Sequence, residues 1–508
     1  MNNYLGIEFG STRIKATVID ETYTPVSSGD YTWASRLENG VWTYDLSEAV
    51  AGLKAALSKL EYRESIKGMG VSGMMHGYLA FDENWNLLTP FRTWQNTMTG
   101  EAAEKLTELF NFNIPQRWSI AHLYQAVLNR EAHVGKIAHV TTLAGYIHYL
   151  LTGVNAVGIG EASGIFPIGE DGTGYDEAML DKFRALMADE KLPWSITDVL
   201  PAVRMAGQSA GELTEEGSAL LDGLLPAGIR FAPPEGDAGT GMVATNAVAP
   251  RTGNVSAGTS IFSMVVLEKP LKNVYEEIDL VTTPTGKPVA MVHCNNCTSD
   301  SNAWVAVLKE TASLFGAEPT TDELYTKLYR KSLEGDPDCG GVLTCNYLAG
   351  EGVTHLDSGR PMVLRDPAAT FTLANLIRSM LYSTMATLKI GMDILAEEQV
   401  AIDSLTGHGG LFKTEGVGQR YMAAAVGAPV TCMKTAGEGG PYGMALLAAF
   451  SGETEGKMPL ETYLNTRVFK DAEGSVLAPD PADVAGFNTY ITQYKRLLQV
   501  EETATKVL

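Results

Sequence analysis

Apolar and polar positions change period several times along this chain, and each change marks an element. Residues 4–9 (YLGIEF) form an apolar run interrupted by Glu8. After Gly10-Ser11-Thr12, the residues Ile14, Ala16 and Val18 alternate with polar neighbours, the period of a half-buried strand. The pattern predicts strand, turn and strand over residues 4–20. Residues 66–94 predict further strands, with a turn at Asp82-Glu83-Asn84. From Gly100 to Gly153 helical periodicity dominates, for instance from Ile137 to Leu151 with a stop at Thr152-Gly153, and 175–188 is a further amphipathic segment. The helix predicted over 375–397 carries Ile377, Leu381, Met385, Leu388, Met392 and Leu395 on one face, a core-packing stripe. Residues 401–410 (AIDSLTGHGG) predict a strand entering a glycine turn that opens a helix. Residues 438–450 (EGGPYGMALLAAF) predict a small-residue helix suited to close packing.

One pattern occurs twice. GNVSAGTSIFSMVVL (253–267) lies over GIEFGSTRIKATVI (6–19), which places Gly258-Thr259-Ser260 on Gly10-Ser11-Thr12. So wide a separation suits duplicated domains rather than a solenoid. It predicts an N-terminal lobe over 1–250, a second lobe over 251–452, and an extension over 453–508 packed on the second lobe. The length of 508 residues agrees, since single cores stop growing well before it.

Charge and cysteine usage narrow the partners. With 38 Lys and Arg against 60 Asp and Glu, the net charge of −22 disfavours nucleic acid as a partner. No apolar stretch approaches the eighteen or so residues of a membrane span, so no membrane association is expected. The N-terminus shows no basic region or cleavage site, and five cysteines, an odd number, read as reduced thiols; the expected compartment is the cytoplasm.

The candidate chemistry gathers at the two repeated turns. A glycine followed by small hydroxyl residues lets backbone N–H groups and hydroxyls converge on an anion, and Lys15 adds positive charge beside the first turn. Glu8 lies inside an apolar strand, where a carboxylate is expensive unless paired or close to a metal. Between the lobes, FAPPEGDAGTG (231–241) presents Asp237 among glycines as a candidate base, with the two turns as candidate holders of ATP phosphates. The glycine turn at Gly409 and Gly410, with Lys413 beyond it, is a third candidate for nucleotide contact. Met75 and His76, grouped with Trp94, Gln95 and Asn96, offer an apolar wall and several hydrogen-bonding groups, as a polyhydroxylated ligand requires. His293-Cys294-Asn295-Asn296-Cys297 raises a metal or redox reading, but Cys339 and Cys345 lack the spacing to complete a zinc site.

Taken together, GIEFGSTRIK, SGMMHGYLAFD, TWQN, PPEGDAGTG, SAGTS, LTGHGGLFKT and EGGPYGMALLAA resemble, in order, the motifs of the FGGY carbohydrate kinases. The resemblance covers nearly everything from Tyr4 to about Phe450. It implies an α/β protein of the two-lobed actin, hexokinase and Hsp70 ATPase type, built from duplicated ribonuclease H-like domains with an ATP cleft between them. It further implies ATP and Mg²⁺, and transfer of the γ-phosphoryl group to a sugar or polyol hydroxyl, a ketopentose such as xylulose by default. Asp237 is then the base and, with Glu8, a metal ligand, and Asp237 also touches the sugar. A homodimer is common in the family.

Three departures stand out. The family usually has aspartate where Glu8 stands, and its sugar loop usually reads Trp-x-Asp-x-Arg where this chain has Asn96 and Met98. Its signature lysine and tryptophan are replaced by His122 and Gln125. Two rival readings are a non-catalytic ATP- and sugar-binding sensor of the same fold and a dinucleotide-binding oxidoreductase. The latter rests on G-x-G-x-x-A at 239–244, and no Asp or Glu follows until Glu268 to hold a ribose.

Overall fold

A computed structural model describes residues 2–433 and 439–508. The first sheet is built on the hairpin β1 (Asn3–Phe9) and β2 (Arg13–Ile19), with β3 (Pro25–Thr32) antiparallel to β2. On the other side β1 is parallel to β4 (Ile66–Gly73), and β4 to β5 (Arg230–Phe231). The second sheet starts from the hairpin β6 (Thr252–Ala257) and β7 (Ile261–Val266). Strand β8 (Ile278–Thr282) lies at its edge beside β9 (Pro288–Cys294), which is antiparallel to β7. On the far side β6 is parallel to β10 (Ser404–His408), and β10 to β11 (Val430–Met433).

The order β3-β2-β1-β4-β5 thus recurs as β9-β7-β6-β10-β11 with the same strand directions, so the short sequence repeat is the visible part of a duplicated α/β domain. Strand β1 is buried on both faces, which explains its near-continuous apolar run, whereas β2 keeps its alternation through Arg13 and Lys15 at the end next to the turn.

Helix boundaries follow their caps. The helix expected from Ile137 begins only at Leu143, because Thr142 caps it by accepting from Gly145 N, and His139–Thr141 is drawn into a short strand with Leu79–Phe81. The long helix spans Leu373–Glu397, capped by Thr372, and buries the predicted stripe in the second core.

One element crosses between the halves. The helix Gly439–Thr454 belongs by sequence to the second lobe, yet its buried face rests on β1, β2 and β4 and against the helix that starts at Asp237. Glu438, with which its motif was read, lies outside the described residues. The glycines of the receiving sheet make the approach possible: a Cβ on Gly6 would lie 1.9 Å from Pro441 O, and one on Gly70 2.2 Å from Met444 Cε. The residues after it divide. Leu460, Tyr463 and Leu464 join the core around that crossing helix, whereas the helix Pro481–Val507 packs on the second lobe through Phe487, Tyr490 and Tyr494.

The halves are stitched along one margin of the cleft. Thr282 N donates to Ser163 Oγ (3.0 Å), Thr282 Oγ1 donates to Ile159 O (3.1 Å), and Asn113 Nδ2 donates to Ile278 O (2.9 Å).

Candidate active site

Asp237 opens a helix rather than sitting in a loop. Glu235 and Gly236 pair with the end of β4, and the chain then turns into the helix Asp237–Ala244. Met75 N donates to Asp237 Oδ1 at 3.2 Å, which ties the carboxylate to the turn after β4. The side chain is reached from the cleft, but it lies deep enough that lost hydration dominates. Burial, then the neighbouring charge of Glu8, raise its pKa to about 7 against the pull of the surrounding backbone N–H groups. The G-x-G-x-x-A stretch lies wholly inside this helix, so it is not the strand-to-helix turn that a dinucleotide fingerprint requires.

Glu8 is the next carboxylate. It pairs in register with Lys15 across the β1–β2 ladder, and Lys15 Nζ lies 3.4 Å from its Oε2. Burial raises the Glu8 pKa and Lys15 opposes the rise. A Cβ on Gly440 would lie 2.8 Å from Glu8 Oε1, so a larger residue at the start of the crossing helix would have to push this carboxylate aside.

The two repeated turns are held from behind. Trp33 Nε1 donates to Gly10 O (2.7 Å) and Tyr44 OH to Ser11 O (2.7 Å), while Trp94 Nε1 reaches Ser11 Oγ at 3.3 Å. At the second turn Cys297 N donates to Thr259 O (3.0 Å) and Thr298 Oγ1 to Gly258 O (2.7 Å).

These parts surround one cavity of 1440 Å³. It is lined by Glu8, Ser11, Lys15, Asp237 and Ser260 together with Met75, His76, Trp94, Gln95 and Asn96. Of the two turns, Ser11 and Ser260 line it, whereas Gly10, Thr12, Gly258 and Thr259 do not. The third expected nucleotide turn is displaced: His408 lines the cavity, but Gly409, Gly410 and Lys413 do not. No helix starts directly after that turn; a single 3₁₀ turn over Gly410–Phe412 intervenes and the helix begins at Gly418. Gly409 has φ +98° and a Cβ there would meet Ala257 O at 2.4 Å, so the glycine serves close packing against β6.

The departures from the family pattern have local explanations. The Asn96 amide accepts from Trp42 N (2.9 Å) and donates to Trp42 O (2.8 Å) and Thr93 O (3.0 Å). It therefore shapes the wall that carries Trp42 and Trp94 rather than offering a free hydrogen-bonding group to a ligand. Met98 is exposed outside the cavity. His122 is fully buried against Tyr78, and burial lowers its pKa to about 3. Gln125 fastens the preceding helix by accepting from Ala102 N (3.2 Å).

His76 has the left-handed φ of +72°, stacks on Trp118, and is kept neutral chiefly by burial. Lining residues that the sequence did not single out include Asn113, Arg117 and Asp279, and His293, which the sequence suggests only as part of a metal or redox motif, lines the cavity as well. Only the fold brings together the segments they come from.

No three His, Cys, Asp or Glu side chains among the described residues converge as a metal cluster, and Cys294 and Cys297 are free, buried thiols. Glu8 and Asp237 form a two-carboxylate donor set that fits Mg²⁺, which takes one or two carboxylates and completes its shell with water and substrate phosphates.

Behind the cavity, Glu351 pins the loop that carries Asn295. Its Oε2 accepts from Asn295 N (2.9 Å), Asn296 N (3.2 Å) and Asn296 Nδ2 (3.1 Å), while the buried Oε1 has no partner. Burial raises the Glu351 pKa from 4.5 to about 7. The native state thus keeps a proton that the unfolded chain loses above pH 4.5. This stabilisation is complete below 4.5 and is lost as pH rises through about 7, by up to roughly 3 kcal/mol. Glu351→Gln retains one oxygen for the three donors and removes the charge. Denaturant unfolding at pH 5 and pH 8 should show the wild type losing stability relative to this variant at the higher pH. Parallel behaviour of the two proteins at both pH values would contradict the assignment.

A duplicated α/β fold with a carboxylate at a helix start, a second carboxylate and two glycine-hydroxyl turns on one cleft defines a phosphotransferase of the sugar-kinase class. Residues 3–238 match the N-terminal domain of the FGGY family of carbohydrate kinases and residues 253–452 match its C-terminal domain. The chain belongs to that family, whose members use ATP as co-substrate. It is 23% identical to the xylulose kinase of Haemophilus influenzae, over 97% of this chain and 98% of that one. Its fold is similar to those of a ligand-bound xylulose kinase (TM-score 0.80) and a gluconate kinase (TM-score 0.78), both from Lactobacillus acidophilus. Each is 14% identical and aligned over 98% of both chains.

Proposed function

We propose that this carbohydrate kinase phosphorylates an uncharged ketopentose such as xylulose, with Asp237 as the general base. The observation that carries the reading is the Asp237 carboxylate, fixed by Met75 N–H and facing the same cavity as Glu8, Ser11 and Ser260. In the mechanism the sugar lies against Met75, His76, Trp94 and Gln95, with the attacking hydroxyl within reach of Asp237. Asp237 accepts the hydroxyl proton as the oxygen attacks the γ-phosphorus. Phosphoryl transfer depends on positioning and on charge stabilisation, and in this reading the turns at Gly10-Ser11-Thr12 and Gly258-Thr259-Ser260 with Lys15 hold the phosphates. Glu8 and Asp237 are the residues that would hold Mg²⁺, which when bound neutralises charge on the phosphate oxygens.

The substrate class rests on relatives named for xylulose and on a sugar end of the cavity lined by Met75, His76, Trp94 and Gln95. The fold itself also serves a gluconate kinase, so the sugar must be established by assay. ADP release should be measured across ketoses, polyols and aldonates. Ketopentoses are expected to give the highest kcat/KM. ATP binding without ADP release for any sugar would instead favour a sensor of the same fold.

A further inference from the structure

The wall of the cavity beyond His76 contains an ion pair that joins the two halves of the protein. Arg117 lies two residues before the helix that starts at Ser119, with Trp118 as its N-cap. Its carbonyl accepts from Gly77 N (3.1 Å), and the adjacent Trp118 stacks on His76, so Arg117 is fixed beside His76 and only a short step from Met75 and Asp237. Its guanidinium forms an ion pair with Asp279 on β8, in register with Met291, which also lines the cavity. Asn113 Nδ2 secures the same margin by donating to Ile278 O. The Arg117 side chain is 25% exposed and that of Asp279 only 8%, so the pair faces the cavity chiefly through the arginine.

Among the described residues, Lys15 and Arg117 are the lysine and arginine side chains that line this cavity, against six carboxylates. Each has a carboxylate partner, Glu8 for Lys15 and Asp279 for Arg117. The two lining histidines beside Arg117 cannot substitute. Burial, then the charge of Arg117, hold His293 down to about 4 and His76 well below its ordinary value. Arg117 itself, lowered by burial to about 10, stays charged at neutral pH.

We propose that Asp279, by holding Arg117 in an ion pair across the cleft, makes the sugar site select uncharged polyhydroxy substrates over sugar acids. A carboxylate-bearing sugar entering beside His76 meets an arginine already engaged and a surplus of negative charge. Freeing the guanidinium would present a planar, bidentate carboxylate receptor at that wall. Discrimination here comes from a repulsive element as much as from an attractive one. The inference rests on the reading that the acceptor sugar occupies the His76 end of the cavity.

The test compares kcat/KM for a five-carbon ketose and for an aldonate of the same length, in wild type, Asp279→Asn and the double variant Arg117→Gln/Asp279→Asn. In Asp279→Asn the aldonate-to-ketose ratio should rise by about tenfold or more, mainly through a lower KM for the acid. The double variant should lose that gain. An unchanged ratio in folded Asp279→Asn overturns the inference. A second measurement needs no variant: the aldonate should inhibit wild-type ketose turnover about tenfold more weakly than the KM of the ketose would imply for an equal binder. Inhibition as tight as ketose binding overturns the inference as well. If wild type turns over no neutral sugar at all, the substrate reading itself fails and takes this inference with it.

Discussion

Asp237→Asn is expected to lower kcat by about 10²- to 10⁴-fold, the usual contribution of a general base. Asparagine keeps the shape of the side chain and an oxygen to accept from Met75 N–H, so the turn into the helix Asp237–Ala244 should persist. What it cannot do is take the proton from the attacking hydroxyl. The same change removes a carboxylate that is poorly hydrated at the bottom of the cleft and repelled by the charge of Glu8, and relief of that repulsion should leave Tm unchanged or raised. A coupled ADP assay beside a thermal unfolding scan checks both parts. Near-wild-type turnover in the purified variant sinks the assignment of the base, and a large drop in Tm would attribute the lost activity to folding.

The pair of predictions, lower turnover without lower stability, depends on the origin of the raised pKa. Were Asp237 perturbed by contacts that stabilise it, removing the charge would destabilise the fold. Here the largest cause is burial and the second is like charge, both of which disfavour the ionised form. The site thus holds a carboxylate where the fold alone would prefer a neutral group, as expected of a residue retained for chemistry.

Local patterns in the sequence carried the site's frame. Gly10-Ser11-Thr12 and Gly258-Thr259-Ser260 each sit between apolar runs, and both became hairpin turns of equivalent strands. Asp237 stands out in the sequence as an acid among glycines, and in the fold it opens a helix on the cleft. Features that depend on long-range approach were not legible. LTGHGGLFKT looks like a turn opening a helix, yet Gly409 is glycine because Ala257 O lies where its Cβ would be. Asn96 reads as a ligand-binding amide, but Trp42, more than fifty residues earlier, engages both of its polar ends. Arg117 and Asp279 come from segments with no distinguishing local pattern, and only the packing of β8 along the cleft unites them. The small residues of 439–450 announced close packing but carried no information on which sheet would receive them.

That last helix gives the second large effect. Gly443→Ala should both destabilise the protein and reduce turnover, although the residue has no chemical role. A Cβ on Gly443 would lie 1.9 Å from Thr240 O and 2.7 Å from Thr240 C, backbone atoms that no rotamer change can move aside. Overpacking of this kind costs typically 1–3 kcal/mol, and a rigid backbone obstacle places it toward the upper end, about 3 kcal/mol. The strain reaches the base directly. Thr240 Oγ1 donates to Asp237 O (3.2 Å) and Gly236 O (3.3 Å) and contacts Ser72 Oγ at 3.0 Å, so displacing Thr240 displaces the turn that aims Asp237. A shift of about 1 Å in a positioned group can reduce rate by about 10²-fold. Gly239→Ala, in the same helix as Thr240, provides the contrast: its Cβ would meet Pro284 Cγ at an ordinary 3.5 Å. That change should stabilise by about 0.5–1 kcal/mol through helix propensity alone. Thermal unfolding of the two variants should therefore move in opposite directions from wild type, with kcat falling in Gly443→Ala. A Gly443→Ala protein with wild-type Tm and kcat would show that the crossing helix does not set the position of the base.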